Sequence, residues 1–225
     1  SLNRDSAGQL LADLALPKAV DITQPWADPA PLNPQQRRVL QAHHVAEILQ
    51  AVRADVLLVN EFDFDRDGVP TADSTPSPLG YASTAARLFH DNFLAVPHGG
   101  ADTGRPASAP LRYAYRHTPN TNTGVPSGLD LDNNGSLGGG GDALGFGAFP
   151  GQFGFTVYSR FEIVKVRSFQ NFLWKDMPGS LLLNDPTAAP NNLGAFYSSA
   201  KRDVLRLSSK NHVDIGLRIN GQVLH

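Results

Sequence analysis

Apolar side chains recur at helical spacing along residues 34–53, where they occupy Val45, Ile48, Leu49 and Val52. Asn33 precedes this segment and Pro34 opens it. These residue types are favoured at the N-cap and at the first position of a helix. The pattern predicts an amphipathic helix over 34–53 with one face against a sheet. A similar but shorter pattern predicts a second helix over 82–93.

Several shorter segments have the patterns of strands. The segment 55–61 has an uninterrupted apolar centre, which is typical of a strand covered on both faces. Residues 111–116 alternate between apolar and polar side chains, as a strand with one exposed face does. Further strands are predicted at 155–159, 163–166, 204–208 and 213–219.

The dipeptide Asn220-Gly221 is a strong signal for a two-residue β-hairpin turn. The strand that it opens begins at Gln222, and the sequence stops at His225. A hairpin strand that has only begun leads us to expect that the domain continues past this residue. The segment 117–153 is rich in Gly, Asn, Asp and Pro, and a loop of this length usually carries function.

The composition fits one globular domain with a substantial core. The chain has 225 residues, of which 41% are hydrophobic, and its 19 basic and 21 acidic residues give a net charge of −2. This balance provides no overall attraction to nucleic acid. The absence of cysteine excludes disulfides and thiolate metal sites. No apolar stretch is long enough to span a membrane.

The strand predicted at 55–61 ends in a single carboxylate, Glu61, and further acidic residues come directly after it. Carboxylates at the tip of an apolar strand are costly unless a positive charge meets them. We expect a divalent cation as that partner, with Glu61 and Asp63 as ligands. The alternative is a strand-end carboxylate that water alone solvates.

Two segments, 63–68 and 130–135, match the first half of a calcium loop. Oxygen-bearing side chains at positions 1, 3 and 5 converge on one ion, and glycine at position 6 allows the sharp turn. The second segment is the better candidate, and its ligands would be Asp130, Asp132 and Asn134. Position 12, where a glutamate is expected, holds Ser74 in the first segment and Gly141 in the second. Ordinary turn chemistry is the alternative explanation for both segments.

Three cations, Arg160, Arg167 and Lys175, form a candidate anion-binding patch, and pairing of each with a nearby carboxylate is the alternative. The seven histidines have no spacing that favours zinc. The Gly138–Gly141 run lacks the lysine and the strand–loop–helix context of a phosphate-binding loop.

The segment VLLVNEFD at 56–63 resembles a strand of the endonuclease/exonuclease/phosphatase superfamily, the deoxyribonuclease-I-like fold. In that family the strand's glutamate binds the catalytic Mg²⁺, and it corresponds to Glu61, with Asn60 where glutamine is more usual. The segment GFTVYSRFEI at 154–163 resembles the family's strand that ends in SR(F/Y)PI, with Glu162 in place of proline. The segments NTGVPSG (122–128), RSFQNFLWKDMPGSLL (167–182) and VLRLSSKNHVDI (204–215) look like a bacterial branch.

The resemblance also implies motifs that this sequence lacks. The family begins with a strand ending in FN, whose asparagine helps to hold the metal, and Ser1 to Arg4 look like the residues just after that strand. A histidine-bearing strand end, a GD(L/F)N segment and an SDH sequence would lie beyond His225. We therefore expect a single domain over 1–225 that lacks its first strand and its C-terminal motifs and is inactive by itself.

The resemblance implies an α/β fold, a four-layer sandwich of two packed mixed β-sheets flanked by helices. It implies Mg²⁺-dependent hydrolysis of a phosphoester substrate, either a nucleic acid, a phospholipid headgroup or a small phosphate ester. The substrate groove would be shaped by Asn122, Thr123, Arg160 and Arg167. The rival hypothesis is a non-catalytic, calcium-stabilised module of the same fold.

Two further expectations concern the hairpin at 208–212 and the location of the protein. The strand from Gln222 runs, by the family likeness, toward the catalytic edge, so its antiparallel partner 213–219 starts there. Lys210 and His212 would then meet the phosphate at that edge, and the alternative is that both merely solvate a hairpin tip. We expect a monomer outside the cytoplasm, periplasmic or secreted, because weak calcium sites fill only where calcium is plentiful.

Overall fold

The computed structural model describes residues 2–16, 32–64, 84–100, 105–182 and 197–225. The helices in these ranges are α1 (Gln9–Leu14), α2 (Pro34–Val52), α3 (Thr84–Phe89) and α4 (Ser199–Arg202), and α3 continues into a π-helical turn at His90–Leu94. The strands are β1 (Val56–Asn60), β2 (His98–Gly100), β3 (Arg105–Ser108), β4 (Tyr115–His117), β5 (Phe155–Ser159), β6 (Glu162–Ser168), β7 (Val213–Ile219) and β8 (Gln222–Leu224).

Local sequence explains where α2 begins and ends. The Asn33 side chain accepts a hydrogen bond from the N–H of Gln36, and the Gln36 side chain accepts one from the N–H of Asn33, both at 2.9 Å. This capping box satisfies two of the N–H groups that a helix leaves without partners. At the other end Arg53 adopts a left-handed conformation with φ of 53°. The helix predicted over 34–53 is therefore confirmed, but its predicted apolar face is wrong in part, because Ile48 and Val52 are exposed while Val39, Ala42 and Ala46 are buried.

The described strands form three sheets, and all their named pairings are antiparallel. The first sheet has the order β1-β5-β4, the second β6-β7-β8, and β2 pairs with β3. In the first sheet Val56 pairs with Ser159 and Asn60 with Phe155. Leu2 adds a parallel bridge to Phe62, just beyond β1. The α/β fold class is therefore confirmed.

The main core lies between the first sheet and helices α1 to α3. Tyr158 on β5 is fully buried in it, and its hydroxyl donates a hydrogen bond to the carbonyl of Ala86 at 2.8 Å. The buried members are Leu2, Leu10, Leu14, Val39, Ala42, Ala46, Phe62, Ala85, Ala86, Phe89, Phe93, Leu94, Leu111, Tyr113 and Tyr158. Within the described residues, the structure contains no helix long and apolar enough to cross a membrane.

Two strand predictions are wrong in detail. The strand at 55–61 exists as β1, but only one of its faces packs on the core, and Val56 and Leu58 are exposed. Of the strand predicted at 111–116, only the end pairs, as β4, although Leu111 and Tyr113 are buried. Burial without pairing explains the alternating pattern there.

The strand predicted at 204–208 is also wrong. Residues 203–208 form a turn and then irregular backbone after α4, and Leu205 packs with Leu131 and Leu182 in a small separate cluster. A single bridge, Leu173 to Arg206, is all that this segment contributes to β-pairing. The strand β6 pairs directly with β7 instead, so no sheet position remains between them.

Candidate active site

The end of β1 brings Glu61 against Lys210. The ammonium nitrogen Nζ of Lys210 lies 2.5 Å from Oε1 of Glu61 and also donates a hydrogen bond to the carbonyl of Phe153. The Glu61 side chain is 42% exposed, so the carboxylate remains open to solvent. The predicted hairpin is not formed, because 204–208 is not a strand, and 208–212 is a loop that leads into β7. This loop does border the edge that carries Glu61, and catalytic roles for Lys210 and Glu61 stay predictions.

Glu61 holds a backbone conformation that is unusual for a residue with a side chain. Its φ is 54°, in the left-handed region, and such a conformation costs about 1 kcal/mol or more. Hydrogen bonds on both sides stabilise it: the N–H of Leu2 donates to the Glu61 carbonyl at 2.9 Å, and the N–H of Phe62 donates to Gly154 at 3.0 Å. The backbone therefore turns sharply where the carboxylate is presented.

Asp63 lies behind Glu61 and is buried. One carboxylate oxygen accepts the N–H of Arg4 at 2.6 Å, and the other accepts the N–H of Phe153 at 2.8 Å. Burial raises the pKa of Asp63 to about 6, although these two hydrogen bonds and the charge of Arg4 act in the opposite direction. These contacts give Asp63 an anchoring role, and metal ligation by it stays a prediction. Residues 65–68, the rest of the first calcium-like segment, lie outside the described residues.

Asn122 holds the loop 208–212 in place, and Thr123, the next residue, is buried beside it. The N–H of Asn122 donates to the carbonyl of Lys210 at 2.9 Å, and its side-chain amide donates to the carbonyls of Ser208 and Gln170. Thr123 is buried with its hydroxyl 2.6 Å from that of Thr121. These hydrogen bonds give Asn122 a positioning role, and direct contact of Asn122 or Thr123 with substrate stays a prediction.

Arg160 lies at the wrong end of the sheet for the predicted role. It comes directly after β5, and its guanidinium pairs with Asp55 at 2.8 Å, just before β1 begins. Because β1 has five residues, about 17 Å separate this end from Glu61. The prediction that Arg160 lines a substrate groove beside Glu61 is therefore corrected.

Arg167 and His212 lie at the same end of the second sheet as the loop 208–212. Arg167 packs over the ring of Phe169 at 4.7 Å and lies 3.7 Å from Asp214, with most of its side chain exposed. His212 is exposed, while its neighbour Asn211 points inward and donates to the carbonyl of Asn120. Roles for Arg167 and His212 toward substrate stay predictions.

The second calcium-like loop brings together three carboxylates, Asp130, Asp132 and Asp142, whose ligand oxygens lie within 4.8 Å of one another. The side chain of Asn134 instead donates to Asp132 and accepts the N–H of Ser136. Sequence reasoning missed Asp142, although it lies one residue after Gly141, the position where the loop pattern expects an acid. Asp142 is buried, and the N–H groups of Leu131 and Gly138 donate to it, each at 2.7 Å.

The fold and the site together define an α/β protein with a strand-end carboxylate paired to a lysine at an open edge. Residues 23–212 match the model of the endonuclease/exonuclease/phosphatase family. The chain belongs to this family, and the resemblance is confirmed. The protein is therefore of the phosphoester-hydrolase type in general. No curated protein and no solved structure gives a significant match.

Proposed function

We propose that this protein hydrolyses phosphoester bonds with Mg²⁺ at Glu61. The contact between Glu61 and Lys210 carries the proposal, because it brings a hard oxygen ligand and a cation side by side. The resemblance of the β1 strand to the family's glutamate-bearing strand supports Glu61 as the metal ligand. Mg²⁺ is commonly bound by one or two carboxylates while it keeps several waters. The half-exposed carboxylate of Glu61 fits that requirement, and Asp63 behind it fixes the backbone.

The side chains of this chain supply the binding part of the reaction. The ammonium group of Lys210 has three donors, and two of them meet Glu61 and Phe153. The third N–H of the ammonium group is available to donate to a phosphate oxygen. The phosphate and Glu61 would then share the positive charge of Lys210. Mg²⁺, when bound, supplies charge neutralisation at the phosphoryl oxygens. His212, on the same loop as Lys210, is a second group that could bind the phosphate.

A structural calcium ion is a second element of the proposal. The cluster of Asp130, Asp132 and Asp142 favours it, because Ca²⁺ takes several oxygen ligands in a flexible arrangement. The same cluster supports the rival function, a non-catalytic module that calcium stabilises. Both hypotheses agree with a location where calcium is plentiful, outside the cytoplasm.

Hydrolysis assays on the full-length protein separate the two hypotheses. We expect release of phosphate or alcohol from simple phosphomonoesters and phosphodiesters with millimolar Mg²⁺, and loss of that release with EDTA. Hydrolysis that persists in EDTA would contradict the role of the metal. Full thermal stabilisation by calcium with no hydrolysis of any ester would favour the rival.

A further inference from the structure

Phe146 presents an exposed aromatic ring beside the Glu61–Lys210 pair. The residue is 71% exposed, and its ring stacks on Phe153 with a centroid separation of 6.4 Å and an interplanar angle of 19°. The ring of Phe153 in turn lies 6.0 Å from Nζ of Lys210, which also bonds the Phe153 carbonyl. A continuous series of contacts therefore leads from the carboxylate of Glu61 to the ring of Phe146.

The backbone on both sides of Phe146 lies in close contact with neighbouring segments. A Cβ atom on Gly145 would lie 2.0 Å from the carbonyl oxygen of Ser209, and one on Gly147 would lie 2.7 Å from the nitrogen of Gly124. Side chains at these two positions are thus excluded by Ser209 of the loop 208–212 on one side and by Gly124 on the other. The N–H of Gly124 also donates to the carbonyl of Gly145 at 2.8 Å.

These contacts distinguish Phe146 from an ordinary exposed apolar residue, which needs no explanation. One face of the ring is covered by Phe153, and an edge lies against Gly140, where a Cβ would meet it at 2.9 Å. Phe146 is otherwise largely exposed to solvent. The distance from the Phe146 ring to the Phe153 ring and the distance from the Phe153 ring to Nζ of Lys210 add up to about 12 Å. The Phe146 ring therefore lies at most that far from the ammonium group.

We propose that Phe146 is the stacking platform of a subsite for a planar ring carried by the phosphoester, a nucleobase or an aryl group. The inference rests on the proposed function, since the phosphate of the same molecule is placed at Lys210. An aromatic platform suits a planar ring because stacking buries apolar area on both partners and tolerates different rings. A ring-free phosphoester gains nothing from Phe146.

Adenosine 5′-monophosphate and ribose 5-phosphate form a matched pair of probes, because they share the phosphate and the ribose and differ in the base. We expect the variant Phe146→Trp to show saturable fluorescence quenching by the nucleotide beyond that of the wild type, and none by ribose 5-phosphate. Equal responses to both probes, or none to either, would overturn the subsite. p-Nitrophenyl phosphate as a third probe distinguishes an aryl site from one selective for a nucleobase.

Kinetics on the full-length protein give the second test. Phe146→Ala should raise KM for the ring-bearing ester by roughly 5- to 100-fold, the range that loss of one stacking contact spans. It should leave the KM for ring-free esters within about twofold of the wild-type value. Phe146→Tyr should retain the wild-type KM for both classes of ester. Leu224→Ala, which shortens an exposed apolar side chain on β8, is the control. It should leave the KM for both classes of ester unchanged.

The outcomes separate this inference from the proposed function. If Phe146→Ala hydrolyses ring-bearing and ring-free esters as the wild type does, the subsite is contradicted and the proposed hydrolase function is supported. Saturable quenching of Phe146→Trp by the nucleotide, without hydrolysis of any ester, would support the subsite and contradict the proposed hydrolase function. An equal loss on both classes of ester would make Phe146 a general structural support and would contradict the inference.

Discussion

Nζ of Lys210 lies 2.5 Å from Oε1 of Glu61, although 149 residues separate the two along the chain. Both side chains are partly exposed, and an ion pair of this kind contributes less than about 1 kcal/mol to stability. The pair is therefore easy to rearrange. A phosphate or a metal ion that arrives at this edge can take up either charge without a large cost to the fold.

Glu61→Gln should lower kcat/KM for phosphoesters by about 100-fold or more, because it removes the charged oxygen that we assign to Mg²⁺. The melting temperature should change little. Glu162→Gln is the matched control, since Glu162 also forms a partly exposed ion pair, with Arg218 at 2.8 Å, on the second sheet. Activity of Glu61→Gln equal to that of the control, with Mg²⁺ present, would refute the assignment.

Lys210→Ala should reduce kcat/KM by roughly 10- to 100-fold, the effect of losing one hydrogen bond to a charged group. His212→Ala should also lower kcat/KM, through a higher KM or a lower kcat. Both variants should melt close to the wild type. Lys201→Ala, a partly exposed lysine on α4, is the control. Wild-type kinetics for both variants would give the loop 208–212 a structural role only.

Millimolar Ca²⁺ should raise the melting temperature relative to EGTA, because an ion that binds only the native state stabilises it. Asp132→Asn should abolish this increase by weakening the carboxylate cluster, whereas Asp203→Asn, which alters an exposed carboxylate in contact with Lys175, should keep it. Differential scanning fluorimetry measures both. An identical melt of the wild type in calcium and in EGTA would rule out the site.

Asp13→Ala should destabilise the fold by about 3–5 kcal/mol, since it leaves buried positive charge without its partner. Asp13 is fully buried and accepts hydrogen bonds from Arg4 and Arg38, both at 2.8 Å. Asp55→Ala removes the exposed partner of Arg160 and should cost less than about 1 kcal/mol. Urea denaturation compares the two variants, and similar midpoints would contradict the importance of burial.

His90 should make the protein less stable in mild acid. Burial lowers the pKa of His90 from 6.5, against the opposing effect of its hydrogen bond with Asp91. Its Nε2 accepts the N–H of Tyr113 at 3.0 Å, which requires the neutral ring. The unfolded chain therefore binds a proton below pH 6.5 that the native state resists, so stability falls as the pH drops through that region. In urea titrations from about pH 7 to about pH 5, His90→Gln should show a smaller decline than the wild type, and equal slopes would exclude His90 as a source.

Local patterns predicted the elements that depend on neighbouring residues. The capping residues around Asn33 define the start of α2, and the apolar run 56–59 became β1. The Asn220-Gly221 turn has φ of 49° and 81°, as a two-residue hairpin requires. The family likeness, together with strand direction, also predicted that the tip at Lys210 reaches the edge of Glu61.

Only the tertiary structure decided which polar side chains are buried and which strand ends meet. It turned Asn122 inward, put Arg160 at the far end of β1, and added Asp142 to the carboxylate cluster in place of Asn134. It also left Leu205 in a loop cluster rather than in a strand. Sequence spacing carries helical and strand periodicity, because these arise from contacts within a few residues. Burial and the approach of distant segments depend on how whole sheets and loops pack, and no local pattern records that.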